Sequence, residues 1–149
     1  MKIAVIGAGT MGSGIAFVCA RFGIETINIE VVDAVRERAI ASAQKSANVL
    51  FEKQKITDVE KNNLDTLLSF ADSLEAVKGV DIVIEAIPED EALKSKVYAE
   101  IGKMNPDAYL FSNTSGLSIT MLSQYAPSAE KFMGVHFFNP PTVMKLMEL

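Results

Sequence analysis

Cysteine is almost absent from this chain, since Cys19 is the only one among 149 residues. A single thiol cannot form an internal disulfide, so a fold held together by disulfides is excluded and a reducing compartment is favoured. Cys19 lies in an apolar run with helical spacing, which predicts a small core residue. Nor do we expect a metal site.

Positive charge and long apolar runs are also scarce. The chain has 14 Lys and Arg against 19 Asp and Glu, a net charge of −5, and no basic stripe that would attract nucleic acid or an anionic membrane. The apolar stretch after Lys2 is interrupted by glycines and lacks a small-residue cleavage site, which excludes a signal peptide and a spanning helix. We therefore expect a cytoplasmic protein with neither kind of partner.

Linkers, internal repeats and low-complexity segments are missing. With 49% hydrophobic residues the chain can bury one continuous core, so we expect residues 1–149 to form a single domain. The apolar segment 143–149 reaches the last residue without a cap or a turn. From this we expect the chain to be a fragment of a longer protein.

Short apolar strands alternate with helical patterns along the chain. The predicted strands are residues 2–6, 26–31, 67–70, 80–86, 109–112 and 132–137. The predicted helices are residues 11–22, 34–55, 58–64, 72–77, 91–104 and 118–125. Because crossovers between parallel strands are right-handed, this order predicts a doubly wound, mostly parallel α/β sheet. The two helices after the second strand would form a helical arm.

Residues 7–12, Gly-Ala-Gly-Thr-Met-Gly, follow the first predicted strand and open a helix. In the G-x-G-x-x-G pattern the first glycine makes a tight turn, the second admits a pyrophosphate and the third lets the helix pack on the strand. The strand-turn-helix context favours dinucleotide binding over a bare structural turn. It predicts a Rossmann-type fold and cofactor contacts from Gly7, Gly9, Thr10, Met11 and Gly12.

An acidic residue near the end of the second strand should bind the adenine ribose. Glu30 and Asp33 are both candidates, and Asp33 has a competing role as the N-cap of the next helix. We favour Glu30, because the capping role already accounts for Asp33. Either carboxylate would repel a 2′-phosphate, which argues for NAD over NADP.

Polar segments follow the fourth and fifth predicted strands. Residues 85–90, Glu-Ala-Ile-Pro-Glu-Asp, either lie at the carboxyl edge of the sheet, with Ala86 beside the cofactor, or form a solvated acidic turn. Residues 112–116, Ser-Asn-Thr-Ser-Gly, could hydrogen-bond a carbonyl or a ribose, or could cap a turn before Leu117. Because a cap needs only one of them, we expect at least one to lie in the site.

His136 is the only histidine, near the carboxyl end of the sixth predicted strand. A lone histidine in an apolar strand is commonly a core residue. Two features favour a catalytic role here: the chain turns at Asn139 and Pro140, and Glu148 could return as an imidazole partner. A carboxylate on one ring nitrogen fixes the tautomer and leaves the other nitrogen as a base.

Together these motifs resemble the NAD-binding domain of the L-3-hydroxyacyl-CoA dehydrogenase family, in order and over essentially the whole chain. The residues that carry the resemblance are the glycine loop at 7–12 and the segments 84–90, 113–115, 136–140 and 144–148. The His-Phe-Phe-Asn-Pro stretch is specific to this family, whereas many dehydrogenases share the glycine loop.

The resemblance implies oxidation of L-3-hydroxyacyl-CoA to 3-oxoacyl-CoA with NAD, with His136 as general base and Glu148 as its orienting partner. Ser115 and Asn139 would hydrogen-bond the reacting oxygen. The further cofactor contacts implied are Glu89, Lys94 and Asn113, and the contacts implied for the coenzyme A portion are Ser46 and Lys53 on the arm.

Two residues depart from the family pattern: Glu30 replaces the usual aspartate, and Gly116 stands where a second serine is common. The family also has a helical second domain, absent from this chain, which closes the cleft and usually carries a dimer interface. We therefore expect nucleotide binding but poor turnover from this chain, and a homodimer for the full-length form. The alternatives are a dehydrogenase of another small hydroxy acid and a non-catalytic NAD-binding protein.

Overall fold

A computed structural model describes all of residues 1–149 and shows a six-stranded, wholly parallel sheet. Its strands are β1 (Lys2–Ile6), β2 (Glu25–Ile29), β3 (Leu68–Ala71), β4 (Ile82–Glu85), β5 (Tyr109–Ser112) and β6 (Phe132–Gly134). Their order in space is β3-β2-β1-β4-β5-β6, so the predicted doubly wound α/β fold is confirmed. The order reverses between β1 and β4, which is where such sheets bind nucleotides.

Helices cover both faces of the sheet. They are α1 (Thr10–Arg21), α2 (Asp33–Glu52), α3 (Asp58–Leu67), α4 (Glu91–Met104) and the one-turn α5 (Ile119–Leu122), with 3₁₀ turns at Leu74–Val77, Ser123–Tyr125 and Ala129–Lys131. None of these helices is both long and apolar enough to span a lipid bilayer.

The central strands β1 and β4 are buried on both faces, which is why they are nearly continuous apolar runs rather than alternating ones. From β1, Ile3 and Val5 pack with Ile15 and other residues of α1. The intervening side chains pack on the opposite face with residues of α4, including Tyr98. Two separate apolar layers therefore hold β1, and with it the loop at its carboxyl end, in place.

The predicted helical arm packs on α1 through a third apolar cluster, formed by Phe17, Ala20, Ala47, Ile56 and Leu64. At its base α3 begins with a capping box, in which Thr57 and Glu60 each accept from the other's backbone N–H. The Glu60 carboxylate also accepts from Arg21 Nε at 2.8 Å. The arm is thus fastened to the nucleotide-binding half of the fold by both apolar and charged contacts.

Two apolar residues predicted inside elements lie outside them. Phe22 was expected on the buried face of the first helix, but α1 ends at Arg21 and 66% of Phe22 is exposed. The Arg21 guanidinium instead lies 5.1 Å from the centre of its ring. Val31 was expected in the second strand, but β2 ends at Ile29 and Val31 is exposed.

The predicted strand 132–137 is split in two. The Val135 N–H still donates to the Ser112 carbonyl at 2.8 Å, but β5 ends there and offers no further partner. The chain therefore leaves the sheet, and β7 (His136–Phe137) pairs antiparallel with β8 (Met147–Glu148). The prediction that His136 ends a strand of the main sheet was wrong, and the terminal apolar segment supplies the partner strand.

Candidate functional site

The glycine loop between β1 and α1 is shaped by close backbone contacts at its two ends. Gly7 has φ of +95°, and a side-chain Cβ there would lie 2.7 Å from the Ala86 carbonyl oxygen. A Cβ on Gly12 would lie 2.0 Å from the Gly7 carbonyl oxygen. These two glycines are therefore required by packing within the loop.

Gly9 differs from the other two glycines, because nothing lies within 4 Å of the place where its Cβ would be. It is the N-cap of α1, and no side chain caps that helix end. The first N–H groups of α1 therefore remain available beside an open surface, as an incoming pyrophosphate requires. The loop fits a dinucleotide such as NAD.

Glu30 lies directly behind this loop. Its Oε2 accepts from the Ala8 N–H and its Oε1 from the Val32 N–H, each at 3.0 Å. The Glu30 carboxylate, which directly follows β2, is thus fixed beside the glycine loop. A Rossmann-type fold places the adenine ribose there.

Asp33 does not cap α2, so the reason for preferring Glu30 over it was wrong. The helix begins at Asp33 itself, and its N-cap residue, Val32, has no capping side chain. The Asp33 carboxylate lies within the first turn, is 80% exposed and pairs with Arg36 at 2.7 Å. Glu30 is the carboxylate that accepts a hydrogen bond from the glycine loop.

The acidic segment at the end of β4 is solvated only in its second half, where Pro88, Glu89 and Asp90 are exposed. Glu85 is completely buried, and its carboxylate accepts four hydrogen bonds: from Lys94 Nζ (2.6 Å), the Ile87 N–H (2.9 Å), the Tyr98 hydroxyl (2.7 Å) and the Ser112 hydroxyl (2.8 Å). Desolvation by burial, together with the Glu85 charge, raises the pKa of Tyr98. Sequence reasoning missed this network, although a glutamate ending an apolar strand was a visible signal.

Glu89 connects this segment to the loop after β5. Its Oε1 accepts from the Thr114 hydroxyl and from the N–H groups of Ser115 (2.9 Å) and Gly116 (3.1 Å). Partial burial opposes ionisation, but these bonds outweigh it and hold the pKa of Glu89 below its usual value. Thr114 Oγ1 also accepts from the Leu117 N–H at 3.0 Å, so Thr114 caps this turn.

His136 Nδ1 lies 2.9 Å from Glu148 Oε2. The pairing of β7 with β8 places these two residues directly opposite each other. The ring also packs against Phe138, with ring centres 4.8 Å apart. With Nδ1–H directed at the carboxylate, Nε2 is left as a proton acceptor.

A cleft of about 350 Å³ brings together seven of the predicted site residues. Its lining includes Met11, Ala86, Glu89, Asn113, Ser115, His136 and Asn139. Asn113 joins its two sides, because Asn113 Oδ1 accepts from the Phe137 N–H at 2.8 Å. A base, a hydroxyl and an amide thus surround one space beside the glycine loop, as proton abstraction from a bound hydroxyl requires.

Nine predicted residues are not among those that line this cleft: Gly7, Gly9, Thr10, Gly12, Glu30, Glu148, Ser46, Lys53 and Lys94. Ser46 lines a second groove, of about 470 Å³, between the glycine loop, α2 and the Pro140–Pro141 turn, while Lys53 lies beyond that groove at the C-cap of α2. The Lys94 side chain is only 1% exposed, because its ammonium lies behind Glu89.

Cys19 takes no part in the site. It is partly buried and packs against the apolar cluster between β1 and α1, in agreement with the prediction. Burial raises the pKa of its thiol to about 11, so the thiol stays protonated near neutral pH and is a poor nucleophile.

Comparison with known proteins gives one consistent family. The family model described as "3-hydroxyacyl-CoA dehydrogenase, NAD binding domain" matches residues 2–149. A 3-hydroxybutyryl-CoA dehydrogenase of Mycobacterium tuberculosis is 38% identical over 99% of this chain and 52% of that protein. A peroxisomal bifunctional enzyme of Danio rerio is 38% identical over 97% of this chain and 20% of its own length.

Solved structures agree. The crystal structure of 3-hydroxybutyryl-CoA dehydrogenase from Escherichia coli K12 superposes with a TM-score of 0.93, at 33% identity, over 99% of this chain and 31% of that one. The enzyme PaaH1 from Ralstonia eutropha, named as an (S)-3-hydroxybutyryl-CoA dehydrogenase, gives 0.91 at 36% identity, over 98% and 52%. The chain spans about half the length of the first curated relatives it matches.

Proposed function

Because the chain belongs to the 3-hydroxyacyl-CoA dehydrogenase family through its NAD-binding domain, we propose that it serves an enzyme that oxidises L-3-hydroxyacyl-CoA to 3-oxoacyl-CoA. The observation that carries the proposal is the pairing of His136 Nδ1 with Glu148 at 2.9 Å, beside a cleft that opens next to the glycine loop. This arrangement supplies a general base next to the place where a nicotinamide would lie.

The reaction breaks one C–H bond and one O–H bond, and the hydride and the proton go to two different acceptors. When bound, NAD supplies the acceptor for the hydride that leaves the 3-carbon. His136 Nε2 takes the proton of the 3-hydroxyl, so that the C–O bond becomes a carbonyl and His136 becomes an imidazolium. Glu148 keeps the ring in the correct tautomer and stabilises its positive charge.

Ser115 and Asn139 line the same cleft as His136. We place them as hydrogen-bonding partners of the reacting oxygen, which gains negative character as its proton leaves. The residues assigned to the cofactor are Gly7, Gly9, Thr10, Met11, Gly12, Glu30, Ala86, Glu89 and Asn113. Lys94 is assigned to the cofactor site indirectly, through its ion pair with Glu89.

The coenzyme A portion is assigned to the arm, at Ser46 and Lys53. Replacing Lys53 with alanine should raise KM for an acyl-CoA substrate about tenfold with little change in kcat, because a hydrogen bond from an ammonium to a phosphate is made equally before and during reaction. Steady-state kinetics of the full-length enzyme measure this. Lys45→Ala, on the same helix, is the matched control, and an unchanged KM for Lys53→Ala and Ser46→Ala would indicate a hydroxy-acid substrate without coenzyme A.

The 3-hydroxybutyryl-CoA dehydrogenases among the curated relatives are about twice as long as this chain, and the resemblance implies a helical second domain. We assign to that domain closure of the cleft and the surface of a homodimer. On this proposal the 149-residue chain binds the nucleotide but turns over poorly, and robust turnover by this chain would contradict it.

Calorimetric titration with NADH and NADPH tests the nucleotide site first. We expect NADH to bind at least about tenfold more tightly, because the Glu30 carboxylate repels a 2′-phosphate but accepts bonds from ribose hydroxyls. Glu30→Gln should narrow that preference, whereas the matched control Asp33→Asn should leave it unchanged. If Asp33→Asn narrows the preference for NADH and Glu30→Gln does not, the ribose contact belongs to Asp33.

Repeating the titration with acetoacetyl-CoA present tests the substrate class. An added binding response would support a substrate subsite on this chain, and its loss in Ser46→Ala would place the subsite on the arm. If the chain does not bind NADH, either the fragment has lost its nucleotide site or the glycine loop has only a structural role, and titration of the full-length chain distinguishes the two.

A further inference from the structure

The Glu85 carboxylate lies behind the cleft and touches none of the space in which substrate or cofactor would lie. It has no exposed surface, and both of its oxygens are saturated by four donors that come from β4's own loop, α4 and β5. Burying a charge in this way is costly, and an apolar residue of similar size is often at least as stable. Its place at the carboxyl end of β4 therefore calls for another explanation.

Lys94 extends this network towards the cleft. Its ammonium lies 2.6 Å from Glu85 Oε1 and 3.3 Å from Glu89 Oε2, so one buried cation is shared by two carboxylates. The contact with Glu85 is the shorter and is completely buried, while 40% of the Glu89 side chain is exposed. Glu85 is thus the buried anchor of Lys94, and Glu89 is its partly exposed partner.

The other end of Glu89 holds the loop after β5. Glu89 Oε1 accepts from the N–H groups of Ser115 and Gly116, which directly follow Asn113 and Thr114. Asn113 in turn accepts from the Phe137 N–H, one residue from His136. Polar contacts, joined through the backbone of residues 113–116, therefore connect the buried carboxylate to β7, the strand that carries His136.

We propose that Glu85 is a positioning residue, which acts through Lys94 and Glu89 to hold the 113–116 loop in the conformation that presents Asn113 and Ser115 to the cleft. The inference rests on the proposed function for the meaning of that cleft. Without the Glu85 charge, Glu89 is the only carboxylate left beside the Lys94 ammonium. The ammonium then draws the Glu89 side chain away from the 113–116 loop. The two loop N–H groups then lose their shared acceptor.

Amide hydrogen exchange and NADH titration of the 149-residue chain test this role. In Glu85→Gln, and likewise in Lys94→Met, exchange at Ser115 and Gly116 should accelerate about tenfold relative to amides of β1, and the Kd for NADH should rise about tenfold. Because both residues act through one link, the double variant should weaken NADH binding no more than Lys94→Met does.

Asn105→Ala is the matched control. Asn105 donates to the Val77 and Val80 carbonyls at 2.8 and 2.9 Å, outside the Glu85 network. Its loss should lower stability while leaving both the Kd for NADH and the relative exchange at Ser115 and Gly116 unchanged. If Glu85→Gln does not fold, Tyr98→Phe removes a single donor to Glu85 and should give a smaller shift of the same sign in both measurements.

A purely structural Glu85 gives a different result. Glu85→Gln would then lower the stability of the fold. The ratio of the exchange rates at Ser115 and Gly116 to those of the β1 amides would stay unchanged, and the Kd for NADH would stay within about twofold of the wild type. That outcome would overturn the proposal. The exchange ratio is measured without nucleotide, so it tests the positioning role even if the wild-type chain binds no NADH.

Discussion

Replacing Gly9 with alanine should weaken NADH binding about 100-fold or more without changing the stability of the fold, whereas Gly12→Ala should destabilise the fold itself. At Gly9 the backbone has an ordinary φ of −67° and a Cβ would meet nothing within 4 Å. That open space is where a pyrophosphate must approach the backbone, so the added methyl group obstructs the ligand alone.

At Gly12 the added methyl group would lie 2.0 Å from the Gly7 carbonyl oxygen and 2.9 Å from its carbon. Neither is the end of a flexible side chain, so α1 must move away from β1. We expect a loss of about 3 kcal/mol or more in the free energy of unfolding. Urea denaturation measures the stability of both variants and calorimetry measures NADH binding; a destabilised Gly9→Ala, or one that binds NADH normally, would contradict this division of roles.

Replacing His136 with asparagine in the full-length enzyme should lower kcat about 100-fold or more and leave the affinity for NADH unchanged. Asparagine can still hydrogen-bond Glu148 but cannot take a proton, so only the step that needs a base is lost. Stopped-flow or steady-state measurement of acetoacetyl-CoA reduction by NADH gives kcat, and calorimetry gives the nucleotide affinity.

Glu148→Gln is the matched control for this prediction. It keeps the side chain's size and one acceptor for His136 Nδ1 but removes the charge that stabilises the imidazolium, so we expect a smaller loss than for His136→Asn. If His136→Asn changes stability and leaves kcat intact, His136 is a structural residue. The non-catalytic alternative would then be favoured for this chain.

Much of the fold could be predicted because most strands are short, rich in apolar residues and followed by a helix. The helix 91–104 and the strand 109–112 agree with α4 and β5 residue for residue, since Asp90 caps one end of α4 and a proline turn follows the other. Boundaries were less accurate at Phe22 and Val31, where apolar residues lie just outside an element.

The candidate site was predictable in part for a similar reason. The glycine loop depends on neighbouring residues, and parallel strands necessarily bring their carboxyl ends to one edge. The carboxyl edge of the sheet was therefore one of the two places expected for the loop after β4. The direction of each side chain within the loops after β4 and β5 could not be predicted, because it depends on which donors the neighbouring strands supply.

Local pattern thus dictates the parallel sheet, the arm and the glycine loop, since periodicity, caps and turn glycines act over a few residues. Three-dimensional packing dictates that Glu85 is an internal anchor, because its donors come from β4's loop, α4 and β5. It likewise sets His136 opposite Glu148, since that pairing forms only after the chain leaves β6 and turns back on itself. Long-range partners of this kind leave no periodic signal in the chain.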